Sequence, residues 1–585
     1  MCGIFAILNN NDLFEKEYIT EQLNKSQNRG PDNSTINLSN NNFVGFHRLS
    51  INGLDSESNQ PFIIDNILLI CNGEIYNYKK LYENIKYKPT TNSDCEIIIY
   101  LYKLFGIEYT LNLLDGVFAF VLFDYNINKI YVARDPYGVR PLYYLCNPDY
   151  ILNYENSEVK HNNIIGFASE LKQLSDFCIT VNDYEKQKDL LLVKQFSGGE
   201  YMEFEQSDDK WFLNNKIKYN TFNINQIHDV DHNNILNTIH DLFCEAIKKR
   251  VETCDRPIAC LLSGGLDSSI VTSLVSKYYP NQLETYSIGL EGSEDLKFAK
   301  IVAEYLNTKH TEIIVSEDDF FNQIPEVIMM IESYDTTTVR ASVGNYLVSK
   351  YISENSDAKV IFNGDGSDEL MGGYLYFKKC TNHLEFDREC KRLLDNIYYF
   401  DVLRSDKSIS SNGLEPRTPF LDRKFVDYYL SIPSKTRYEY NMKQEKFLFR
   451  KAFDKDYLPK EILWRKKEAF SDGVSNKSRS WYEIIAEKVK LQKEIVFDIS
   501  IEYQINPPQS LEQLYYRTIF EMIYPNFGYT IPYFWMPKYV NANDASARSL
   551  EFYNDNNNNN DNNNDIDTAD SKINISMEIR EMNLE

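Results

Sequence analysis

Residues Ile258 to Ser269 read IACLLSGGLDSS. Ile258 to Leu262 is a short apolar run closed by glycines. It is too short for a buried helix and fits a strand covered on both faces, as in a parallel sheet. Ser263, Gly264 and Gly265 follow, then Leu266, Asp267, Ser268 and Ser269 and a helical pattern to about Lys277. A strand, a tight Gly-Ser turn and a helix N-terminus together make an anion site. Backbone N–H groups point outward there, and the helix dipole favours negative charge. The serine hydroxyls add donors, and Asp267 is placed to hold a Mg2+ bound to phosphates. The stretch lacks the GxxxxGK[ST] pattern of a Walker loop.

Downstream, strand and helix patterns alternate. Strands are expected at Leu283 to Ile288, Thr311 to Val315 and Lys359 to Asn363, the last running into GDGSDEL. Helices are expected at Asp295 to Leu306 and near Asp319 to Ser333 and Ala341 to Ser353. Such alternation predicts a parallel α/β sheet with helices on both faces. Ligands in such sheets lie beyond the carboxyl ends of the strands, so SGGLDSS and NGDGSDE can converge on one nucleotide.

At 585 residues the chain is too long for one core. Residues 1–204 read as a first unit, 205–234 as a polar linker with some order, and 235–545 as a second unit. The net charge of −24 disfavours a nucleic-acid partner, which needs a basic surface. No apolar run reaches membrane-spanning length, and MCGIFAILNNN has no signal-peptide pattern. A cytoplasmic protein with no membrane partner is expected. The ten cysteines form no CxxC pairs and the seven histidines no ligand spacing, so neither a zinc site nor a disulfide framework is expected. Residues 554–585 begin with an almost pure Asn and Asp run that cannot bury apolar area, and they are expected to be a disordered tail.

The first unit is dominated by short strand patterns: Gly3 to Leu8, Phe43 to Ile51, Ile67 to Cys71, Val117 to Asp124, Lys129 to Arg134 and Leu142 to Leu145. Short connections between them predict largely antiparallel sheets. Cys2 follows Met1. Removal of Met1 leaves Cys2 with a free α-amine, which titrates near pH ~8 and serves as base for its own thiol.

Three further strings accompany MCGIFAI: RGPD at Arg29 to Asp32, HRLSIN at His47 to Asn52 and NGEIYN at Asn72 to Asn77. Together they resemble the class II glutamine amidotransferase domain, an N-terminal-nucleophile α+β fold of layered antiparallel sheets. That resemblance implies that Cys2 attacks the glutamine side-chain amide and releases ammonia. It makes Asn72 and the Gly73 backbone the oxyanion hole, and Arg48 the grip on the glutamine carboxylate. Glu74 and Asp94 hold the α-ammonium group, and Leu49, Ser50, Ile51 and Asn52 line the pocket.

The C-terminal half carries TVRAS at Thr338 to Ser342, LEPRTPFLD at Leu414 to Asp422, EKFLFRKAF at Glu445 to Phe453 and WRKKEAFSDG at Trp464 to Gly473. With SGGLDSS, similar to the pyrophosphate loop of enzymes that split ATP into AMP and pyrophosphate, the order resembles the glutamine-hydrolysing asparagine synthetases from Cys2 to about Tyr553. The resemblance implies ATP as substrate with Mg2+, aspartate activated as β-aspartyl-AMP, and ammonia displacing AMP. Leu262, Ile288, Asn363 and Gly364 would line the adenosine site. Ser263, Gly265, Asp267, Ser268 and Ser269 would cradle the phosphates, with Asp267 and Asp368 on Mg2+. Arg340 and Lys467 would neutralise aspartate carboxylate and phosphate charge. The family also implies a homodimer. Three departures stand out: Asn363 replaces a serine, Asp365 a glutamate held important for the synthetase step, and Thr418 a valine. Asp365 is the one feature favouring the alternative, a degraded, non-catalytic binding or sensor protein.

Overall fold

The computed structural model describes residues 1–39, 42–147, 164–184, 191–227, 231–476, 478–492, 503–550 and 553. The Asn/Asp-rich tail, residues 554–585, lies outside them. In chain order the first unit contributes β1 (Gly3–Leu8), β2 (Asn33–Ser39), β3 (Asn42–Arg48), β4 (Phe62–Ile64), β5 (Ile67–Ile75), β6 (Gly116–Asp124), β7 (Lys129–Arg134), β8 (Tyr143–Cys146), β9 (Ile165–Ala168), β10 (Leu192–Gln195), β11 (Glu200–Ser207) and β12 (Lys210–Lys218). They form two six-stranded antiparallel sheets, ordered β10-β8-β9-β1-β3-β2 and β12-β11-β7-β6-β5-β4.

Alternation along the strands makes this a layered fold. Ile4, Ala6 and Leu8 of β1 meet Leu68 and Ile70 of β5 and Val121 of β6 between the sheets. The opposite residues, Phe5 and Ile7, pack with Leu23 of the helix Lys16–Asn24. Leu69 and Cys71 pack with Ile97, Ile98 and Leu101 of the helix Ile97–Leu113. Both faces of β1 and β5 are therefore covered, which explains why they read as continuous apolar runs. The β5–β6 register puts Asn72 opposite Ala119 and Gly73 opposite Phe118, at the end of β5. A Cβ on Gly73 would lie 2.6 Å from the Val117 carbonyl oxygen, so only glycine permits this approach.

The expected boundary at residue 204 falls inside β11, and the expected linker contains β12. Asp208 and Asp209 take φ +49° and +61° in a two-residue hairpin turn. Trp211 and Leu213 point inward, while Lys210 faces solvent. Few apolar residues disguise a half-buried edge strand as polar connection.

The second unit holds one parallel sheet: β13 (Ile258–Leu261), β14 (Glu284–Leu290), β15 (Lys309–Val315), β16 (Val360–Phe362) and β17 (Glu415–Arg417), ordered β15-β14-β13-β16-β17. The chain leaves β13 toward β14 and later returns to its other side as β16. That reversal makes a crevice between β13 and β16 at their carboxyl ends. The expected helices appear as Glu294–Leu306, Glu317–Asn322, Ile324–Ile331 and Thr336–Asn355, each with an N-terminal signal such as Ser293, Ser316 or Asp335. No helix among the described residues is long and apolar enough to cross a membrane.

Candidate active site

The first site gathers at the N-terminal end of β1 and the C-terminal end of β5. Cys2 N donates to Asn72 Oδ1 at 3.1 Å, and its Sγ lies 3.7 Å from the Leu49 carbonyl oxygen. Because the Asn72 carbonyl is used in this way, its Nδ2 is left buried with no partner among the described residues. A buried orphan donor costs about 1–3 kcal/mol and fits a developing oxyanion beside the thiol. Burial pushes the Cys2 thiol up, and the nearby N-terminal ammonium opposes it. The Met1 amine is itself lowered to about 6 by burial.

The pocket rim is the segment 48–53. Asn52 Nδ2 donates to Glu74 Oε2 at 2.5 Å, and Ser50 N donates to Asp32 Oδ2 at 2.8 Å. The second unit holds the same rim. Asp255 N donates to the Ile51 carbonyl at 3.0 Å and Arg256 Nε to the Ser50 carbonyl at 2.8 Å. Glu74 is pushed well up by burial and by Glu415 and Asp94, with Arg417 at 3.1 Å in opposition. Asp94, buried and accepting from Ile75 N at 2.5 Å, is raised to about 6, mainly by burial. Arg48 is engaged within the rim itself. Its guanidinium donates to the carbonyls of Asn52, Gly53 and Asp55 and to Asn59 Oδ1, so it shapes the rim turn instead of standing free.

The second site lies in the crevice of the parallel sheet. One cavity is lined by Leu262, Ser263, Gly265, Asp267, Ser268, Ile288, Asn363, Gly364, Asp365, Asp368 and Lys467, joining most of the expected residues. Ser263 Oγ and Ser268 Oγ meet at 3.0 Å and curl the loop onto the helix Leu266–Tyr278. The two loops nearly touch: a Cβ on Gly364 would lie 2.8 Å from Asp267 Cβ. Ser269 sits one residue deeper, fully buried with an unpartnered hydroxyl, and does not line the cavity.

Asp267 and Asp368 face each other across two lysines. Lys446 Nζ is 2.6 Å from Asp267 Oδ2 and 2.5 Å from Asp368 Oδ1. Lys467 Nζ is 2.6 Å from Asp368 Oδ2 and 3.8 Å from Asp267 Oδ2. Burial alone would raise Asp368, but Lys446 and Lys467 hold it well below the usual carboxylate range. Among the described residues Asp267 Oδ1 is buried without a hydrogen-bond partner. Two carboxylates with a spare oxygen fit Mg2+, which is usually held by one or two carboxylates plus substrate phosphates.

Asp365 accepts from Arg404 Nη2 at 2.7 Å through Oδ1, while its Oδ2 stays buried and unpartnered. Asn363 Nδ2 donates to Ser405 Oγ at 2.6 Å, and Asn363 Oδ1 accepts from Asp365 N at 3.3 Å. Thr418 is buried with an unpartnered hydroxyl. Arg340 is not brought into the cavity. Its buried guanidinium is occupied by Glu512, at 2.8 Å from Nε, and by Asp544, at 2.7 Å from Nη1. Lys446 and Arg404 were not legible as site residues. Lys446 lay in a motif, EKFLF, that gave no role, and Arg404 in none.

A glutamine-site geometry joined to a nucleotide crevice defines a class: an amidotransferase unit fused to a nucleotide-dependent synthase unit. The family model "Glutamine amidotransferase domain" matches residues 1–210, and "Asparagine synthase" matches 238–388 and 378–524. The chain is 39% identical to the "Asparagine synthetase [glutamine-hydrolyzing]" of Gallus gallus over 585 residues, covering 94% of this chain and 99% of that one. The Mus musculus and Homo sapiens proteins of that name are 40% and 39% identical over 582 residues, with the same coverage. This chain belongs to the glutamine-hydrolysing asparagine synthetase family, and its first unit is a glutamine amidotransferase domain.

Proposed function

We propose that this enzyme makes asparagine from aspartate, glutamine and ATP. Glutamine is hydrolysed at Cys2 after Met1 is removed, the α-amine serving as base and the orphaned Asn72 Nδ2 with the Gly73 backbone receiving the oxyanion. Glu74 and Asp94 hold the glutamine α-ammonium. In the second crevice ATP phosphates lie on the SGGLDSS loop, and aspartate is activated as β-aspartyl-AMP with release of pyrophosphate. Lys467 and Lys446 neutralise charge developing on the phosphates. Asp267 and Asp368 would hold Mg2+, which supplies further neutralisation of the phosphate oxygens. Ammonia from the first site then displaces AMP. We place the enzyme in the cytoplasm, as a homodimer with no nucleic-acid or membrane partner.

The observation that supports this most is the meeting of two glycine-bearing loops, after β13 and β16, around paired carboxylates and lysines in a chain that also pairs Cys2 with Asn72. The intact carboxylates and lysines speak against a degraded sensor. The test is incubation of the protein with glutamine, aspartate and MgATP. Asparagine, glutamate, AMP and pyrophosphate are expected; formation of ADP instead of AMP would refute the adenylate route.

A further inference from the structure

Lys467 reaches the carboxylate pair from a segment, residues 464–476, of which Arg465 to Ser471 line the nucleotide crevice. The start of that segment is tied inward by Lys467 N, which donates to Glu445 Oε1 at 3.0 Å. Its end is tied by Ser293 Oγ to the Gly473 carbonyl and by Leu290 N to the Val474 carbonyl, both at 2.8 Å. Its middle is held from outside by later residues. Glu468, next to Lys467, accepts from Arg548 Nε at 2.7 Å and from Tyr553 Oη at 2.9 Å. Lys466 Nζ donates to the Tyr553 carbonyl at 2.8 Å. Ser546 Oγ donates to Asp472 Oδ1 at 2.6 Å, and Arg548 Nη1 to the Asn476 carbonyl at 2.9 Å.

Residues 544–550 and Tyr553 therefore lie along the segment like a strap. The strap is fastened at Asp544, both of whose carboxylate oxygens lie 2.7 Å from Arg340. Arg340 also grips Glu512, which anchors the fastening in the helix Leu511–Ile523. The contact is no surface ion pair: the side chains of Arg548 and Glu468 are 7% and 12% exposed. Such a pair fixes geometry, because breaking it strands a charge out of water.

We propose that residues 544–550 together with Tyr553 are a positioning strap for the synthetase step, with Arg548 and Tyr553 holding Glu468 and so setting the reach of the neighbouring Lys467. Arg340 is then the buckle of the strap. The inference rests on the proposed adenylate chemistry at Lys467. Displacing a charged group by about 1 Å costs on the order of a hundredfold in rate when it must meet a reacting atom.

The full-length Arg548→Gln variant tests this beside Arg548→Lys and Tyr553→Phe. In Arg548→Gln, kcat for ammonia-dependent asparagine formation is expected to fall at least about tenfold. The KM for ATP should change little, since the adenosine side of the crevice is untouched. Glutamine hydrolysis should match the parent, the thermal midpoint should fall by a few degrees because Glu468 loses a buried partner, and Arg548→Lys should recover part of both losses. Trypsin cleavage within Arg465, Lys466 and Lys467 should accelerate in Arg548→Gln and Tyr553→Phe while cleavage elsewhere stays constant. Parent-like kcat with parent-like cleavage would overturn the strap. Equal loss of both activities with a lower thermal midpoint would also overturn it, as a purely structural contact. A parent that makes no asparagine would remove the proposed function, while the cleavage comparison would still decide whether the strap holds the segment.

Discussion

Lys446 offers the sharpest test of the second site. Its ammonium, 1% exposed, bridges Asp267 at 2.6 Å, Asp368 at 2.5 Å and Ser367 Oγ at 2.8 Å. Lys446→Met keeps the side-chain length and removes the charge. Removing one partner of a buried pair costs about 3–5 kcal/mol. The lower end applies here, because Lys467 still lies 2.6 Å from Asp368 and both carboxylates border the cavity. A loss of about 3 kcal/mol in a domain of this size lowers its thermal midpoint by roughly 6–12 °C. The assay is differential scanning fluorimetry of the whole protein, with the second unit followed by a nucleotide-sensitive transition.

Two further readouts separate charge from packing. Without the ammonium, two facing carboxylates gain affinity for a divalent cation, so millimolar MgCl2 should restore part of the midpoint. Asp368 is held below its ordinary pKa of about 4, so its stabilising effect is present above that pH and lost as pH falls through it. The acid-linked loss of stability should therefore shrink in Lys446→Met. A variant with an unchanged midpoint and unchanged acid sensitivity would refute the role assigned to the lysine bridge.

Three other outcomes are expected. Cys2→Ala should abolish glutamine hydrolysis while sparing asparagine synthesis from added ammonia, measured as asparagine and AMP; loss of both in a folded protein would sink the two-site division. Asp94, raised to about 6, is ionised only above that pH, so KM for glutamine should rise as pH falls through about 6, and Asp94→Asn should give a high, flat KM profile. Asp365→Glu should speed ammonia-dependent synthesis by extending the carboxylate toward the reacting atoms. A slower variant would show that Arg404 and Asn363 have fitted the loop to the shorter side chain.

Local chemistry was legible in the sequence wherever the physics is local. The strand, turn and helix of IACLLSGGLDSS announce themselves by period and glycine, and the structure builds them there. The alternation predicting a parallel sheet held for β13 to β16: β13 and β16 are buried apolar runs, β14 is buried along most of its length, and β15 is a partly exposed edge strand. What stayed hidden depends on pairing across long separations. β12 was obscured because its two buried apolar residues, Trp211 and Leu213, sit in a strand that also carries Lys210, Asn214, Asn215, Lys216 and Lys218. Lys446 and Asp267 stand 179 residues apart, and no spacing rule joins them. The partners of Arg340 were hidden for the same reason, since Glu512 and Asp544 lie 172 and 204 residues downstream.

Arg417 shows what such distant pairing adds to function. LEPRTPFLD was conspicuous as a string but gave its residues no role. In the fold it becomes β17, beside β16, and the Arg417 carbonyl accepts from Asn363 N at 3.2 Å at the root of the Asp365 loop. The Arg417 guanidinium points the other way. It reaches Glu74 of the glutamine pocket at 3.1 Å, across 343 residues of sequence. Glu415 holds Arg417 Nε at 2.9 Å and lies 3.4 Å from Arg140 of the first unit. One three-residue strand thus touches the pocket where ammonia is proposed to form and the loop where it is proposed to be used. A charged residue buried between two domains is costly unless fully paired. Here the pairing is supplied by the two units together, so their relative placement is set by the same side chains that border both sites.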